Sequence, residues 1–335
     1  MDNHLIPERI RRELLRPNSV QLEQLQQGGL SGAMVWQAQS IHGATAVRCW
    51  PAEHPSPARL AHIHAAMITA RESGQSCIPE VYCSRAGETF ASDGQRLWEL
   101  TQWMPGRSDY QEAASITRLQ AALQQLANLH NVWEHSTSVA AAPSPTLDQR
   151  YQRLQSCLSE LPRQLAWGSL NPSLSQPRFC PQMIILASET LRLLAERGPA
   201  LLTAADQLRG QAVKLHFVIR DIWSDHVLFT GDQVTGIIDF GAARIDEPAT
   251  DVARLLGSLE PVDPLRWHMG WDYYQQINGQ VDLRRVQLLD RLATLLSAVQ
   301  WLEWLVLKPR QFPAPVSSLV SRWQKLIVRS ESWSW

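Results

Sequence analysis

Two aspartates carry the chemistry that can be read first. In the segment KLHFVIRDIWSDHVLFTGDQVTGIIDFGAAR, residues Lys214–Arg244, Asp221 follows the extended run Lys214–Ile219. Asp239 ends a second apolar run, Val234–Ile238, and is followed by Phe240-Gly241. Between the two acids, Val227–Thr230 and Val234–Ile238 are joined by Gly231-Asp232, the signature of a hairpin. A hairpin returns the chain to where it began, so acids 239 − 221 = 18 positions apart are expected at one site. Such a pair suits metal-dependent phosphoryl transfer. One carboxylate orients, or takes a proton from, an attacking hydroxyl. The other holds Mg²⁺, a hard ion that prefers oxygen ligands and bridges phosphate oxygens. Either acid alone reads as a turn or helix-capping aspartate. The loop acid, the paired strands and the terminal D-F-G together point to chemistry.

The elements around them divide the chain in two. The first third reads as strands: Met34–Ser40, Ala44–Trp50, Val81–Ser84, Glu88–Ala91 and Arg96–Trp103, with Ile41-His42-Gly43 as a hairpin turn. One helix interrupts them, Pro57–Arg71, with Leu60, Ile63, Met67 and Ile68 at helical spacing. Pro105-Gly106 is a breaker, and beyond it helices dominate. Ser115–His130, Tyr151–Leu161 and Ile184–Glu196 read as helices, Ala140–Pro145 as a loop and Ser169–Pro181 as irregular. The expectation is an α+β fold of two lobes: a small β-rich lobe over 1–105 and a larger helical lobe over 106–335 with an embedded β island.

Composition narrows the function. The 335 residues hold 31 Lys plus Arg against 32 Asp plus Glu, a net charge of −1, without the basic excess of a general nucleic-acid binder. Hydrophobic residues reach 44% and charged residues 19%, enough for a sizeable core and unlike a disordered chain. The apolar stretch Leu292–Leu307 is broken by Gln300 and Glu303, so no membrane span is expected. The N-terminal MDNHLIPERIRRELLR has no apolar core of a secretory signal. Five cysteines, none in C-x-x-C spacing, fit the reducing cytoplasm better than a disulfide framework or a zinc site.

These motifs resemble the aminoglycoside phosphotransferase and choline kinase family of the protein-kinase-like superfamily. Arg220-Asp221 resembles its catalytic loop, and Ile237-Ile238-Asp239-Phe240-Gly241 its metal-binding segment. Ala249-Thr250-Asp251-Val252-Ala253-Arg254 resembles the helix whose aspartate supports that loop. Leu126-Ala127-Asn128-Leu129-His130 resembles the family's L-A-x-L-H helix, and Met104-Pro105-Gly106 the end of its interlobe linker. The likeness runs from about residue 24 to 260, in order.

The resemblance implies an ATP-dependent transfer of the γ-phosphate to a hydroxyl of a small molecule. Asp221 and Arg220 take catalytic places, and Asp239 with the residue at 226 takes the metal. In the first lobe, Gly29, Ser31 and Gly32 lie in a loop that would cover the phosphates; the same glycines also suit an ordinary hairpin turn. Arg48 stands where the family carries its phosphate lysine and can pair phosphate oxygens bidentately. Main-chain groups near Gln102, Trp103 and Met104 would take the adenine edge.

The departures bear on metal and turnover. Position 226 is His where the family has Asn, which admits Mn²⁺ beside Mg²⁺. Asp225 offers an oxygen next to it, and Ile219 replaces the family's His. Arg220 also reads as one half of a structural ion pair. The helix 57–71 offers His62 and His64 and only a late Glu72 as partner for Arg48, so no carboxylate is assigned to that cation. The alternative is a pseudokinase, a nucleotide-binding regulatory module without turnover. A protein kinase is disfavoured by the ten residues between Phe240 and Asp251, too few for a long activation segment. In the last third, Trp267, Trp271, Tyr273, Tyr274, Trp301, Trp304 and Trp323 are interleaved with Asp263, Asp272 and Glu303. That mixture suits an amine or amino-sugar acceptor, or simply a packed core.

Overall fold

The structure is a computed structural model that describes residues 6–15, 21–24, 32–40, 43–137, 139–166, 181–308, 310–312 and 315–333. It opens with helix α1 (Glu8–Leu14) and strands β1 (Gln21–Gln24), β2 (Met34–Ser40) and β3 (Gly43–Cys49). Helix α2 (Pro57–Glu72) follows, started by Ser56, whose hydroxyl accepts the Arg59 N–H, and by Pro57 in the first turn. β4 (Ala91–Ser92) and β5 (Leu97–Gln102) complete a five-stranded antiparallel sheet in the order β1-β2-β3-β5-β4. Alternation along β3 sends Val47 and Cys49 into the core and leaves Arg48 on the other face. Trp36 and Trp98 stack at 5.5 Å in that core. Each Leu, Ile or Val fully buried there contributes roughly 1.5–3 kcal/mol.

Helix α3 (Ile116–Ser136) buries Leu119, Leu123, Leu126 and Trp133, all at 0% exposure. β6 (Val139–Ala142), α4 (Pro145–Ala166), α5 (Pro181–Arg209) and β7 (Val213–Val218) come next. The hairpin β8 (Val227–Thr230) and β9 (Gln233–Ile237) forms its own two-stranded sheet. Then come β10 (Arg244–Asp246), α6 (Ala249–Leu259), α7 (Pro264–Gln275), α8 (Leu283–Leu302) and α9 (Val316–Glu331).

The chain forms two compact units, residues 1–137 with 224–244, and 138–223 with 245–335. The first unit takes in α3, which packs on α2 and on β9, and the β8–β9 hairpin, whose Phe229 bridges Arg107. Gly106 shows how closely. At φ +104°, a Cβ on it would lie 2.5 Å from Thr235 Oγ1 and 2.8 Å from the Phe229 carbonyl of the hairpin.

Other local expectations change. Val81–Ser84 and Glu88–Ala91 are not full strands: Val81 makes a single bridge to Thr101, and β4 has two residues. Ala140–Pro145 is not all loop, because β6 pairs with β7, which is ordered β10-β7-β6 apart from the hairpin. The helix read to Glu196 continues to Arg209 through Pro199. Gly198 there lets Leu158 of α4 approach so closely that a Cβ would be 2.8 Å from it, and this packing carries the helix past its breaker. Residues 167–180, expected to be irregular, and the turn positions 41–42 lie outside the described residues.

Candidate active site

The first unit contains a cavity of about 740 Å³, within the size range of small-molecule sites. Its polar wall is built by β3, β5 and the segment after β9. Arg48 and Glu99 are directly opposed in the β3–β5 register. Arg48 Nε lies 3.5 Å from Glu99 Oε1, and Arg48 Nη1 donates to Asp239 Oδ1 at 2.9 Å. From α2, His64 Nε2 lies 2.8 Å from the other Glu99 oxygen. Trp50 carries the Arg48 guanidinium on its face at 4.8 Å. The carboxylate missing from α2 is therefore supplied by the neighbouring strand, and α2 contributes a histidine to it.

These charges set one another's titration. Burial pushes the Glu99 carboxyl up, but the bond from His64 and the field of Arg48 outweigh it and hold the group below the usual range. Burial likewise opposes the Asp239 charge, and Arg48, then His226, hold it below the usual range. Burial works against the Arg48 cation too, yet Asp239 and Glu99 together raise it.

Asp239 has φ +67°, the left-handed region that a non-glycine residue enters at a cost of roughly 1–3 kcal/mol. Such strain concentrates at functional turns. Next to it, Gly241 admits the Trp50 ring, which a Cβ would meet at 2.8 Å. Its carbonyl accepts from Arg59 Nη2 at 3.1 Å. His226 ends the 3-10 turn Ser224–His226 just before β8, and its carbonyl accepts the Ile238 N–H at 2.9 Å. Its Nε2 lies 3.7 Å from Asp239 Oδ2. Asp225 is engaged locally, accepting from the Ser224 hydroxyl at 3.2 Å.

Among the described residues no three His, Cys, Asp or Glu side chains gather into a metal cage. One carboxylate with one imidazole beside it fits an ion that takes its remaining ligands from phosphate oxygens and water, as Mg²⁺ does at nucleotide sites. At the linker, Gln102 and Trp103 donate their N–H groups to the Glu80 and Ala44 carbonyls. Met104 lines the cavity, 5% exposed. Gly29 and Ser31 lie outside the described residues; Gly32, at φ +74°, is the part of that loop the structure describes.

The second unit holds Asp221. Its side chain is 50% exposed, and Oδ1 accepts from Arg254 Nε and Nη2 at 3.2 and 3.1 Å. The loop carrying it is fixed from below by fully buried Asp251, which accepts the Ile219 and Arg220 N–H groups at 2.7 and 2.5 Å. Arg220 is the second non-glycine residue at φ +67°. Its Nε reaches Thr146 Oγ1 at 3.2 Å and buried Asp246 at 3.5 Å. Its contacts are those of the structural ion pair, a clamp on the loop. Beside Asp221 lies a second cavity of about 580 Å³.

The aromatic residues of the last third are mostly core. Trp267, Trp271, Tyr274, Trp301 and Trp323 are each at most 8% exposed, and Trp304 packs its ring on Trp301 and Phe312. No helix of the described residues is long and apolar enough to cross a membrane.

Comparison with known proteins accords with this geometry. No curated relative matches the sequence significantly. Among solved structures, an amicoumacin kinase in complex with AMP-PNP, Ca²⁺ and Ami is 13% identical, with TM-score 0.62 over 96% of this chain and 91% of that one. A spectinomycin phosphotransferase in complex with ADP and spectinomycin is 11% identical, with TM-score 0.63 over 93% and 92%. An aminoglycoside phosphotransferase from Alicyclobacillus acidocaldarius is 14% identical, with TM-score 0.59 over 99% and 94%. At these identities the likeness is one of fold, the protein-kinase-like α+β fold expected from the motifs. The model of the phosphotransferase enzyme family matches residues 25–289, and by that match the chain belongs to this family.

Proposed function

We propose that the protein transfers the γ-phosphate of ATP to a hydroxyl group of a small molecule. The observation that carries this reading is Asp239, held at φ +67° in its D-F-G turn and paired with Arg48 on the wall of a cavity of about 740 Å³. In this reading Arg48 leaves Asp239 to grip phosphate oxygens, while Glu99 keeps the guanidinium in place. Main-chain groups of Gln102–Met104 and the loop of Gly29, Ser31 and Gly32 bind the remainder of the nucleotide. Asp239 and His226 would hold Mg²⁺ or Mn²⁺, which would supply positive charge against the phosphates. Asp221 orients the acceptor hydroxyl and takes its proton, and Arg220, through Asp246, keeps that loop in position. Catalysis of this kind rests on positioning and electrostatics. Residues 1–105 then serve as the nucleotide lobe and 106–335 as the catalytic and acceptor lobe. The assigned compartment is the cytoplasm, to which thiols such as buried Cys49, Cys77 and Cys157 are suited.

One observation favours a second reading, a nucleotide-binding module without turnover: Asp239 is already engaged by Arg48 and faces His226. Both readings are tested by measuring ADP release with Mg-ATP and a broad set of hydroxyl compounds. Acceptor-dependent ADP release supports the transferase. Tight Mg-ATP binding with no acceptor-dependent release supports the module.

A further inference from the structure

The second cavity, beside Asp221, has a charge pattern that bears on the acceptor. Helices α4 and α8 wall it. Arg150 and Arg153 come from α4, Arg220 and Asp221 from the loop after β7, and Arg254 from α6. Four guanidiniums thus face one carboxylate, while α8 contributes only neutral side chains such as Ser297 and Gln300.

Three of the four cations have a carboxylate partner. Arg254 pairs with Asp221 at 3.1 Å, Arg220 with Asp246 at 3.5 Å, and Arg153 with Glu303. Arg150 donates to the Leu289 carbonyl at 2.9 Å. The acids whose charge acts on it are Asp246 and Glu247, and these are engaged by Arg220 and by Arg285, at 3.5 and 2.6 Å. Burial, then the fields of Arg254 and Arg220, pull the Arg150 guanidinium down to about 10, so the cations strain against one another. When Asp221 turns to an acceptor hydroxyl, Arg254 loses part of its own counter-charge as well. An ammonium group placed here would meet guanidiniums on two sides and one carboxylate that is already shared. An oxyanion would relieve both Arg150 and Arg254 through charge-assisted bonds, bidentate where the planar groups align.

We infer that the acceptor carries a carboxylate, sulfate or phosphate group besides its reacting hydroxyl, and that Arg150, Arg153 and Arg254 bind that group. This rests on the proposed phosphotransferase reading and replaces the amine or amino-sugar class, whose aromatic cage the buried tryptophans do not form.

The first measurement is calorimetric titration of the full-length chain, saturated with Mg-ADP, with inorganic sulfate. Wild type is expected to bind sulfate, and Arg150→Gln and Arg153→Gln each to weaken it about tenfold or more, by the value of a lost charge-assisted contact. Arg153 is 41% exposed in its side chain, so its variant answers the question even where loss of the Leu289 bond unfolds Arg150→Gln. No sulfate binding by wild type, or equal binding by wild type and Arg153→Gln, overturns the inference. The second is turnover with glycerate, serine and ethanolamine at saturating Mg-ATP. A preference for glycerate over ethanolamine that shrinks in Arg153→Gln supports the inference. A preference for ethanolamine overturns it while leaving the transferase standing. Sulfate binding lost in Arg153→Gln with no turnover on any acceptor supports the anion site and counts against the transferase instead. A higher nucleotide KM in Arg153→Gln with every acceptor, at unchanged acceptor KM, would assign the arginines to the phosphate chain and overturn the inference.

Discussion

Replacing Glu99 by Gln tests how Arg48, the proposed phosphate-binding cation, is held. The side chains of Arg48 and Glu99 are 19% and 8% exposed, and their charged atoms lie 3.5 Å apart. At an effective dielectric of about 20, the gross attraction at that distance is about 5 kcal/mol. Glutamine keeps an oxygen for Arg48 or His64, so about half of that is recovered as neutral hydrogen bonding. Arg48 then has one full counter-charge left, Asp239 at 2.9 Å, and its guanidinium settles there. Phosphate oxygens must pull it off that carboxylate, and a cost of roughly 1.4–2.8 kcal/mol corresponds to ten- to hundredfold weaker Mg-ATP binding. The assay is calorimetric titration of Mg-ATP into wild type and Glu99→Gln. The pH dependence gives a second check. Because Glu99 is depressed in the folded state, its contribution is present above the unfolded carboxylate range near about 4.3 and is lost as pH falls through the lower folded value. The melting temperatures of wild type and Glu99→Gln should therefore differ at neutral pH and converge only as the pH falls through the depressed folded value of Glu99. Equal Mg-ATP affinity together with equal melting at neutral pH would refute the reasoning.

Two further substitutions probe the supports of the site. His226→Asn installs the family's usual oxygen donor beside Asp239, so activity in Mg²⁺ should equal or exceed wild type and any Mn²⁺ preference should fall; activities in both metals that ignore every substitution at 226 would place this residue outside the site. Asp251→Ala leaves the Ile219 and Arg220 N–H groups without their buried acceptor, at a cost of about 3 kcal/mol or more from two charge-assisted bonds; urea denaturation should show a clearly lower midpoint, and an unchanged midpoint would contradict the clamp.

Much of the Asp221–Arg254 stretch was legible because its signals are local. The hairpin, its turn and the D-F-G segment lie within one short stretch, and the acid at 251 sits in a recognisable run. The partner of Arg48 was not legible for a physical reason. Glu99 is 51 positions away and meets Arg48 only once β3 and β5 are known to be neighbours in a given register. Both residues lie in strands and face one way, but sequence alone ties neither strand to the other. Arg150 and Arg153 carry no local signal, because charges three apart on an amphipathic helix usually mark its solvated face; only the position of α8 makes that face a cavity wall. The aromatic residues of the last third already suited an amphipathic helix packing the core better than a ligand cage, and their burial accords with the core. The packing of the hairpin was equally hidden, because nothing local shows that the strand 233–237 lies against the helix 116–136.

The most direct test of the central claim compares Asp221→Asn with wild type in two measurements on the same preparations: acceptor-dependent ADP release and Mg-ATP affinity. The proposal gives Asp221 to the acceptor and not to the nucleotide, so affinity should stay within about threefold, while loss of the group proposed to orient and deprotonate the hydroxyl should cut turnover by about a hundredfold or more. Turnover near the wild-type level in Asp221→Asn would contradict the account.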